Sequence, residues 1–182
     1  MSKRLIMMIV GTRPEAIKMA PVYLALKQAS QLDVRLIATG QHRSMLDQVL
    51  GVFGLVPDVD LDLMRPDQPL GELSARILTN VQRVLAEHRP WAVLVHGDTA
   101  TCLFAGLAAF YERVQIGHVE GGLRTYNLDA PWPEEMNRRL VDPLCQWCFA
   151  PTAAPKRATS ARSATAHPSP GHGWPYRRAS PV

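Results

Sequence analysis

The segment LIMMIV at residues 5–10, followed directly by GTRPEAIK at residues 11–18, decides the fold class of this chain. The first six residues form a continuous aliphatic run, which is typical of a strand buried on both faces. The next eight carry helix start signals, because Thr12 and Glu15 have capping-box spacing and Pro14 lies in the first helical turn. The segment therefore predicts a strand that passes through a tight turn into a helix.

The same alternation of aliphatic runs and helical patterns continues along the chain. Further aliphatic runs occupy residues 34–39, 91–96 and 114–119. Helical patterns lie between the runs, at about 15–27, 42–54, 70–88, 100–112 and 133–146. Pro21 and Pro143 fall inside two of these patterns, and each is expected to mark a kink or a boundary. Strands that alternate with helices at this spacing predict βαβ units and a parallel sheet, which places the chain in the α/β class.

The charge of the chain is concentrated at its C-terminal end. The 182 residues carry a formal net charge of +4, yet residues 153–182 hold one Lys and four Arg and no acidic residue. The preceding 152 residues therefore hold 15 basic and 16 acidic side chains. This distribution gives no reason to predict nucleic-acid binding by the folded part.

Residues 153–182 also differ from the rest of the chain in composition. They contain 7 Ala, 5 Pro, 4 Ser and 2 Thr, and no Ile, Leu, Met or Phe. Such a segment cannot bury enough apolar surface to offset its ordering entropy. We expect one folded domain over residues 1–152 and a disordered basic tail over 153–182. The alternative for the tail is a basic arm that binds nucleic acid or acidic lipid.

The N-terminal aliphatic run and the cysteines bear on where the protein works. A run of six residues is too short for a signal peptide or a membrane span, so we expect a cytoplasmic protein that does not bind membranes. Three cysteines do not suggest a disulfide framework. Cys145 and Cys148 form a C-x-x-C pair, for which a redox or a zinc role is an alternative.

The turn after the first strand is a candidate anion site. Gly11 permits a tight turn, and the free N–H groups of a helix N-terminus suit a phosphate. Arg13 can grip a phosphate through two hydrogen bonds, and Lys18 can add a point charge one turn further along. The segment matches neither a GxGxxG nor a Walker pattern. An ordinary capped helix without a ligand is the alternative.

Acidic residues follow two other predicted strands. Asp98 ends the segment VLVHGD at residues 93–98, and Glu120 ends GHVE at residues 117–120. In open parallel sheets ligands bind beyond the carboxyl ends of the strands, so Arg13, Asp98 and Glu120 are expected to converge on one crevice. Burial there would raise a carboxyl pKa and suit acid–base work.

Two further patterns allow more than one interpretation. His96 with Asp98 and His118 with Glu120 are H-x-D and H-x-E pairs, which offer four ligands for a divalent ion as an alternative to acid–base chemistry. In PWPEEMNRR at residues 131–139, Glu134 and Glu135 lie in the first turn of a predicted helix. Helix-terminus electrostatics accounts for them as simply as a catalytic role does.

Five segments together resemble one known family. GTRPEAIKMAP at 11–21, TGQHRSMLDQVL at 39–50, VLVHGDT at 93–99, GHVEGGLRT at 117–125 and PWPEEMNRRL at 131–140 are similar to the signature blocks of the non-hydrolysing UDP-N-acetylglucosamine 2-epimerases. The blocks occur in the family's order and cover essentially all of residues 4–152. Five ordered blocks are far more specific than any single motif.

The resemblance implies a fold and a reaction. The family fold is two Rossmann-like domains with doubly wound parallel sheets facing each other across a cleft, as in GT-B glycosyltransferases. The reaction interconverts UDP-N-acetylglucosamine and UDP-N-acetylmannosamine for polysaccharide biosynthesis. A proton leaves sugar carbon 2, UDP is expelled to leave a glycal, and UDP then re-adds. The resemblance implies no redox cofactor and no metal, and it implies a homodimer.

Residue roles follow from the same resemblance, position by position. Arg13 and Lys18 match residues that contact the UDP part of the substrate. Asp98, Glu120 and Glu134 match the catalytic acidic residues. Gln41 and His42 match a block that in some members contacts a second, activating UDP-sugar.

The chain also departs from the family pattern. Pro143 falls inside a helix that usually lacks it, and the segment from Ala153 replaces the expected second domain. We expect a truncation or frameshift at that point and a product that is weak or inactive alone. The alternatives are a non-catalytic nucleotide-sugar-binding or subunit-interaction domain, a hydrolysing epimerase that releases free N-acetylmannosamine, and, more remotely, a metal-dependent hydrolase.

Overall fold

The computed structural model describes residues 2–40 and 43–151, with residues 43 and 44 described by their backbone alone. Gln41, His42 and the predicted disordered tail lie outside the described residues. The division at residue 152 therefore stays a prediction.

Six parallel strands form one sheet in the described residues. The strands are β1 (Arg4–Val10), β2 (Leu32–Ala38), β3 (Val59–Asp60), β4 (Ala92–His96), β5 (Gln115–Val119) and β6 (Trp147–Phe149). Their order across the sheet is β3-β2-β1-β4-β5-β6, and every neighbouring pair is parallel. This is the strand order of a doubly wound Rossmann-type sheet, so the predicted fold class is confirmed.

Five α-helices connect the strands of the described residues. They are α1 (Arg13–Lys27), α2 (Arg43–Val52), α3 (Leu70–His88), α4 (Ala100–Tyr111) and α5 (Glu134–Val141). Pro21 does not end α1, which continues to Lys27, so a boundary at that proline is wrong. The helix predicted over 133–146 is too long, because α5 ends at Val141 and a 3₁₀ turn with Pro143 follows it. Proline lacks the N–H that would continue the α-helical hydrogen bonds.

Alternating residues of β1 pack into two separate cores, one on each face of the sheet. Met7 and Ile9 lie in the core under α3 and α4. Ile6, Met8 and Val10 lie in the core under α1 and α2. A strand buried on both faces needs apolar residues at every position, which explains why the aliphatic run is continuous.

The chain reverses direction across the sheet between β1 and β4. From β1 it proceeds outward to β2 and β3, and α3 then returns it to β4 on the other side of β1. The helices after β1 and β4 therefore diverge and leave a crevice at the carboxyl ends of these two strands. Among the described residues, no helix is both long enough and apolar enough to cross a membrane.

Candidate functional site

A cleft of about 330 Å³ lies at this crevice. Its wall comes from the turns after β1, β4 and β5 and from α5. The polar and charged side chains of its lining are Thr12, Glu15, Lys18, His96, Asp98, Thr99, Glu120 and Arg138. Glycine permits the left-handed backbone of the turn after β4, since Gly97 has a φ of +68°.

Glu15 connects the turns after β1 and β4 at the floor of the cleft through hydrogen bonds. One carboxylate oxygen accepts hydrogen bonds from the backbone N–H groups of Gly11 (2.8 Å) and Thr12 (2.7 Å). The other accepts the hydroxyl hydrogen of Thr99 at 2.6 Å. Burial raises the pKa of Glu15, and the Thr99 and backbone hydrogen bonds oppose that rise. Because Glu15 is wholly occupied by protein donors, its role is to fix the turns after β1 and β4.

Glu120 projects into the cleft directly after β5, with a φ of +65°. Lys18 Nζ lies 2.8 Å and 2.6 Å from its two carboxylate oxygens. His96 Nε2 lies 2.8 Å from Glu120 Oε2. Burial lowers the pKa of His96 to about 4, although the neighbouring Glu120 carboxylate opposes this effect. His96 is therefore a neutral imidazole that donates to Glu120 at neutral pH.

Asp98 lies opposite, in the turn after β4. Arg138 approaches its Oδ2 at 3.5 Å, and Asn137 Nδ2 donates to its backbone carbonyl at 2.8 Å. Burial raises the pKa of Asp98, Arg138 lowers it, and the charges of Glu134 and Glu120 raise it. A carboxyl group with a raised pKa can take up and release protons closer to neutral pH than an exposed aspartate can.

A buried ion network lies behind the cleft. His118 in β5 has Nδ1 at 2.5 Å from Asp142 Oδ1 and Nε2 at 2.6 Å from the Gly97 carbonyl. Arg124 donates to the other oxygen of Asp142. Because a carbonyl only accepts, His118 Nε2 carries a hydrogen, and Nδ1 donates to the carboxylate, so the ring is an imidazolium.

The charge of that ring is strongly stabilised. Burial alone would lower the pKa of His118, but the neighbouring Cys102, the hydrogen bond to Asp142 and contacts with the cysteine sulfurs raise it to about 12. Burial likewise opposes ionisation of Asp142, whereas the hydrogen bonds from His118 and Arg124 lower its pKa. The network therefore fixes the Gly97 turn between His96 and Asp98.

Glu135 anchors the loop that precedes α5. Its side chain is fully buried, and its carboxylate accepts from the backbone N–H groups of Thr125 (3.0 Å) and Tyr126 (3.2 Å). Glu134, one residue earlier, is half-buried and lies close enough to Asp98 to act on its pKa. The two adjacent glutamates therefore differ in environment, because Glu135 holds a loop and the charge of Glu134 raises the pKa of Asp98.

The predicted site residues are distributed unevenly. Lys18, Asp98 and Glu120 line the cleft together. Glu134 lies beside them without lining the cleft. Arg13 is exposed at the first residue of α1 and is not among the lining residues. Gln41 and His42 lie outside the described residues, so the suggested second UDP-sugar site stays a prediction.

Sequence reasoning did not single out Glu15, Asn137 or Arg138 as members of the site. The sequence indicated Glu15 only as the glutamate half of a capping box with Thr12. The hydrogen bond from the Thr12 N–H group to the Glu15 carboxylate confirms that half. Asn137 and Arg138 lie on the inner side of α5, three and four residues after Glu134, and that helical spacing is the signal that could have found them.

The two histidine–carboxylate pairs were the alternative ligands for a metal ion. In the structure all four of these residues contact other protein groups. His96 donates to Glu120, Asp98 faces Arg138, and both ring nitrogens of His118 donate to protein acceptors. A divalent ion bound through Asp98, His118 and Glu120 would have to displace these contacts, whereas His96 Nδ1 has no hydrogen-bond partner among the described residues.

Comparison with known proteins identifies the family. A family model described as UDP-N-acetylglucosamine 2-epimerase matches residues 24–161. The chain belongs to the UDP-N-acetylglucosamine 2-epimerase family. It is 52% identical over 147 residues to the UDP-N-acetylglucosamine 2-epimerase of Neisseria meningitidis serogroup A, covering 81% of this chain and 40% of that protein. The enzyme of Escherichia coli K12 is also 52% identical, over 81% of this chain and 39% of its own length.

Solved structures of epimerase-family members agree with the fold. The Neisseria meningitidis enzyme bound to UDP-GlcNAc matches with a TM-score of 0.83 and 50% identity, over 85% of this chain and 42% of that one. The Methanocaldococcus jannaschii enzyme in complex with UDP-GlcNAc and UDP matches with a TM-score of 0.80 and 34% identity, over 85% and 42%. The chain thus spans about 40% of the length of the epimerases it matches.

Proposed function

We propose that the cleft binds the nucleotide-sugar substrate of a UDP-N-acetylglucosamine 2-epimerase. The observation that carries this proposal is the convergence of Lys18, Glu120 and Asp98 at the switch point between β1 and β4. A cation beside a helix N-terminus suits a diphosphate, and two carboxylates across a cleft suit proton transfer at a sugar carbon. Relatives with solved structures bind UDP-GlcNAc and UDP.

The reaction is the interconversion of UDP-N-acetylglucosamine and UDP-N-acetylmannosamine. In one direction a base removes the proton at sugar carbon 2 while UDP leaves from carbon 1, and a bound glycal results. Protonation at the opposite face and re-addition of UDP complete the inversion. Asp98, Glu120 and Glu134 are the proposed acid–base groups, and the raised pKa of Asp98 suits a group that carries a proton for part of the cycle.

Arg13 and Lys18 are the proposed diphosphate contacts. Lys18 is half-exposed and paired with Glu120 in the ligand-free cleft. A diphosphate placed near the N-terminus of α1 would compete for the Lys18 ammonium group and release part of its hold on Glu120. Arg13 is exposed beside the same N-terminus and has the fork of donors that a phosphate accepts.

We also propose, from the family resemblance, that the enzyme is a homodimer, that it works in the cytoplasm and that its substrate is the UDP-N-acetylhexosamine. A non-catalytic nucleotide-sugar-binding or subunit-interaction domain is the second candidate. The chain spans about 40% of the epimerases it matches, and turnover of UDP-N-acetylglucosamine decides between the two candidates. A hydrolysing epimerase is distinguished from both candidates by its products, which are free N-acetylmannosamine and UDP.

Calorimetric titration of the purified chain with UDP and with UDP-N-acetylglucosamine tests the binding site. We expect Lys18→Ala and Arg13→Ala each to raise the Kd about tenfold, equivalent to about 1.4 kcal/mol. Lys27→Ala is the matched control, because Lys27 lies at the other end of α1 against Tyr23 and should leave the Kd unchanged. A folded chain that binds neither ligand would contradict the proposal.

Chromatography of the UDP-sugars after incubation then separates the two candidate functions. Formation of UDP-N-acetylmannosamine that Asp98→Asn abolishes is the result expected of the epimerase. Binding without turnover would assign the chain to the binding domain.

A further inference from the structure

A group of sulfur and nitrogen atoms lies behind the cleft and is not explained by the proposed function. Cys148 in β6 is in register with His118 in β5. Cys145 follows the 3₁₀ turn that ends at Leu144. One ring nitrogen of His118 and the two Sγ atoms all lie within 4.8 Å of one another. Neither cysteine lines the cleft.

We propose that Cys145 and Cys148 form a redox-active dithiol, in which Cys148 reacts with a peroxide and Cys145 closes an intramolecular disulfide. The two sulfurs need to approach by less than 3 Å to reach the bonding distance of about 2 Å. Both belong to the segment of four residues, 145–148, that runs from the end of the 3₁₀ turn into the edge strand β6. The proposal is independent of nucleotide-sugar binding.

The position of Cys148 makes it the attacking sulfur. It is partly exposed on the edge strand, where a small oxidant reaches it, and its cross-strand neighbour is the His118 imidazolium. Hydrogen bonding with Cys145 and the nearby His118 lower the pKa of Cys148 to about 6, although burial and the Asp142 carboxylate, whose Oδ1 lies 3.9 Å from the sulfur, oppose the shift. The thiolate is the nucleophilic form of cysteine, and a nearby cation is the environment in which reactive cysteines are found.

The surroundings of Cys145 suit the second step. Its side chain is 2% exposed, so a peroxide in solvent reaches it poorly. The hydrogen bond with Cys148 and its own burial raise the pKa of Cys145, so it remains a thiol. Its single S–H hydrogen can be donated to the Val141 carbonyl, which lies 3.2 Å from the sulfur, or to Cys148.

The chemistry balances with a peroxide as the oxidant. The Cys148 thiolate attacks the O–O bond of hydrogen peroxide and gives a sulfenic acid and hydroxide, which takes up a proton. Cys145 then attacks the sulfenic sulfur, the S–S bond forms, and water leaves with the thiol proton. The two thiols are oxidised by two electrons, and one peroxide is reduced to two molecules of water.

A metal held by the same three side chains is the competing interpretation. It would require His118 to give up a hydrogen bond, because Nδ1 faces Asp142 at 2.5 Å and Nε2 faces the Gly97 carbonyl at 2.6 Å. It would also require His118 to lose a proton while it is paired with a carboxylate. The geometry therefore favours thiol chemistry over metal binding at this cluster.

Intact-mass measurement of the reduced chain after brief treatment with hydrogen peroxide at pH 7 tests the proposal. We expect a loss of about 2 Da, with the disulfide mapped by peptide analysis to residues 145 and 148. Cys148→Ser should abolish the reaction. Cys145→Ser should instead leave a sulfenic acid that dimedone traps. The matched control is Cys102→Ser, because Cys102 is buried and donates to the Gly97 carbonyl, so this variant should still lose 2 Da.

A second measurement keeps the proposal testable if a serine variant fails to fold. Alkylation of the wild-type chain by iodoacetamide should label Cys148 first, at a rate that reaches half its maximum near pH 6. Labelling of Cys102 at an equal rate would overturn the proposal. So would accumulation of sulfinic acid without a disulfide, or purification of the reduced chain with one zinc ion per molecule.

Discussion

Glu15 in α1 and Thr99 at the N-terminus of α4 are joined by a hydrogen bond of 2.6 Å between residues 84 positions apart. Thr99 Oγ1 in turn accepts the Cys102 backbone N–H at 3.1 Å and so caps α4. The second oxygen of Glu15 holds the Gly11 and Thr12 N–H groups. A single carboxylate therefore fixes the N-terminal ends of α1 and α4, two of the three helices that border the cleft.

Removal of this carboxylate should destabilise the chain. We expect Glu15→Ala to lower the free energy of unfolding by about 3 kcal/mol, because it leaves buried donors without an acceptor. Glu15→Gln should cost less, because its amide keeps one acceptor oxygen and the shape of the side chain. Urea unfolding measures both. Glu72→Ala is the control, since Glu72 is 60% exposed and 3.8 Å from Arg76. Equal losses for Glu15→Ala and Glu72→Ala would contradict this role.

A methyl group at Gly11 should also be costly. A Cβ there would lie 2.2 Å from Thr101 Oγ1 and 2.4 Å from Thr39 Oγ1, two hydroxyls that are themselves 2.9 Å apart. We expect Gly11→Ala to lower the free energy of unfolding by about 2–3 kcal/mol through overpacking.

Gly51→Ala is the control for that substitution. Gly51 lies inside α2 and a Cβ there meets nothing within 4 Å, so alanine should stabilise the chain by about 0.5–1 kcal/mol. Thermal unfolding of the two variants side by side should move Tm in opposite directions. A shift in the same direction would show that the contacts around Gly11 are not what restricts it.

The charge of Arg138 should lower the pKa of Asp98. Arg138 lies 3.5 Å from Asp98 Oδ2 and lowers a pKa that burial raises. We expect Arg138→Met to raise the pKa of Asp98 further, as measured by carboxyl ¹³C NMR titration. Arg139→Met is the matched control, because Arg139 is the next residue of α5 and is exposed. The control should leave the pKa of Asp98 unchanged. An equal shift of this pKa in both variants would contradict the pairing of Arg138 with Asp98.

The two buried histidines should make stability depend on pH on both sides of pH 6.5. His96 has a folded-state pKa of about 4, below its ordinary value of 6.5, so its contribution is present above pH 6.5 and is lost as the pH falls toward 4. His118 has a folded-state pKa of about 12, so its contribution is present below pH 6.5 and is lost as the pH rises toward 12. The two effects together place a maximum near pH 6.5.

Urea unfolding across pH 4–10 measures these two limbs. Each limb should have a slope of at most about 1.4 kcal/mol per pH unit for one proton. His96→Gln should flatten the acid limb. For His118, ¹⁵N NMR of the wild-type ring should show both nitrogens protonated at pH 8. A neutral ring at pH 8 would contradict the ion network.

The sequence was most informative where burial is complete. The four aliphatic runs correspond to β1, β2, β4 and β5, because a strand covered on both faces admits few polar residues. Two strands were missed. β3 has two residues and β6 has three, and both lie at the edges of the sheet, where side chains are only partly buried and no aliphatic run is required.

The candidate site was predictable only in part for a similar reason. Asp98 and Glu120 could be brought together because they follow strands whose order in a parallel sheet is constrained. Arg13 was expected to join them, but Lys18 lines the cleft and Arg13 does not. The pairing of Arg138 with Asp98 and of Thr99 with Glu15 joins distant segments through the packing of α5 and α4. Such contacts depend on the angles at which helices pack, which no local pattern of residues encodes.

The imidazolium of His118 differs from the histidines that usually serve as switches, because its two acceptors keep it charged across the whole physiological range. Its positive charge behind the cleft is therefore constant. Its charge lowers the pKa of both His96 and Asp98. The lowering that this charge exerts on the pKa of Asp98 is therefore the same throughout the physiological pH range, because the charge itself does not change there.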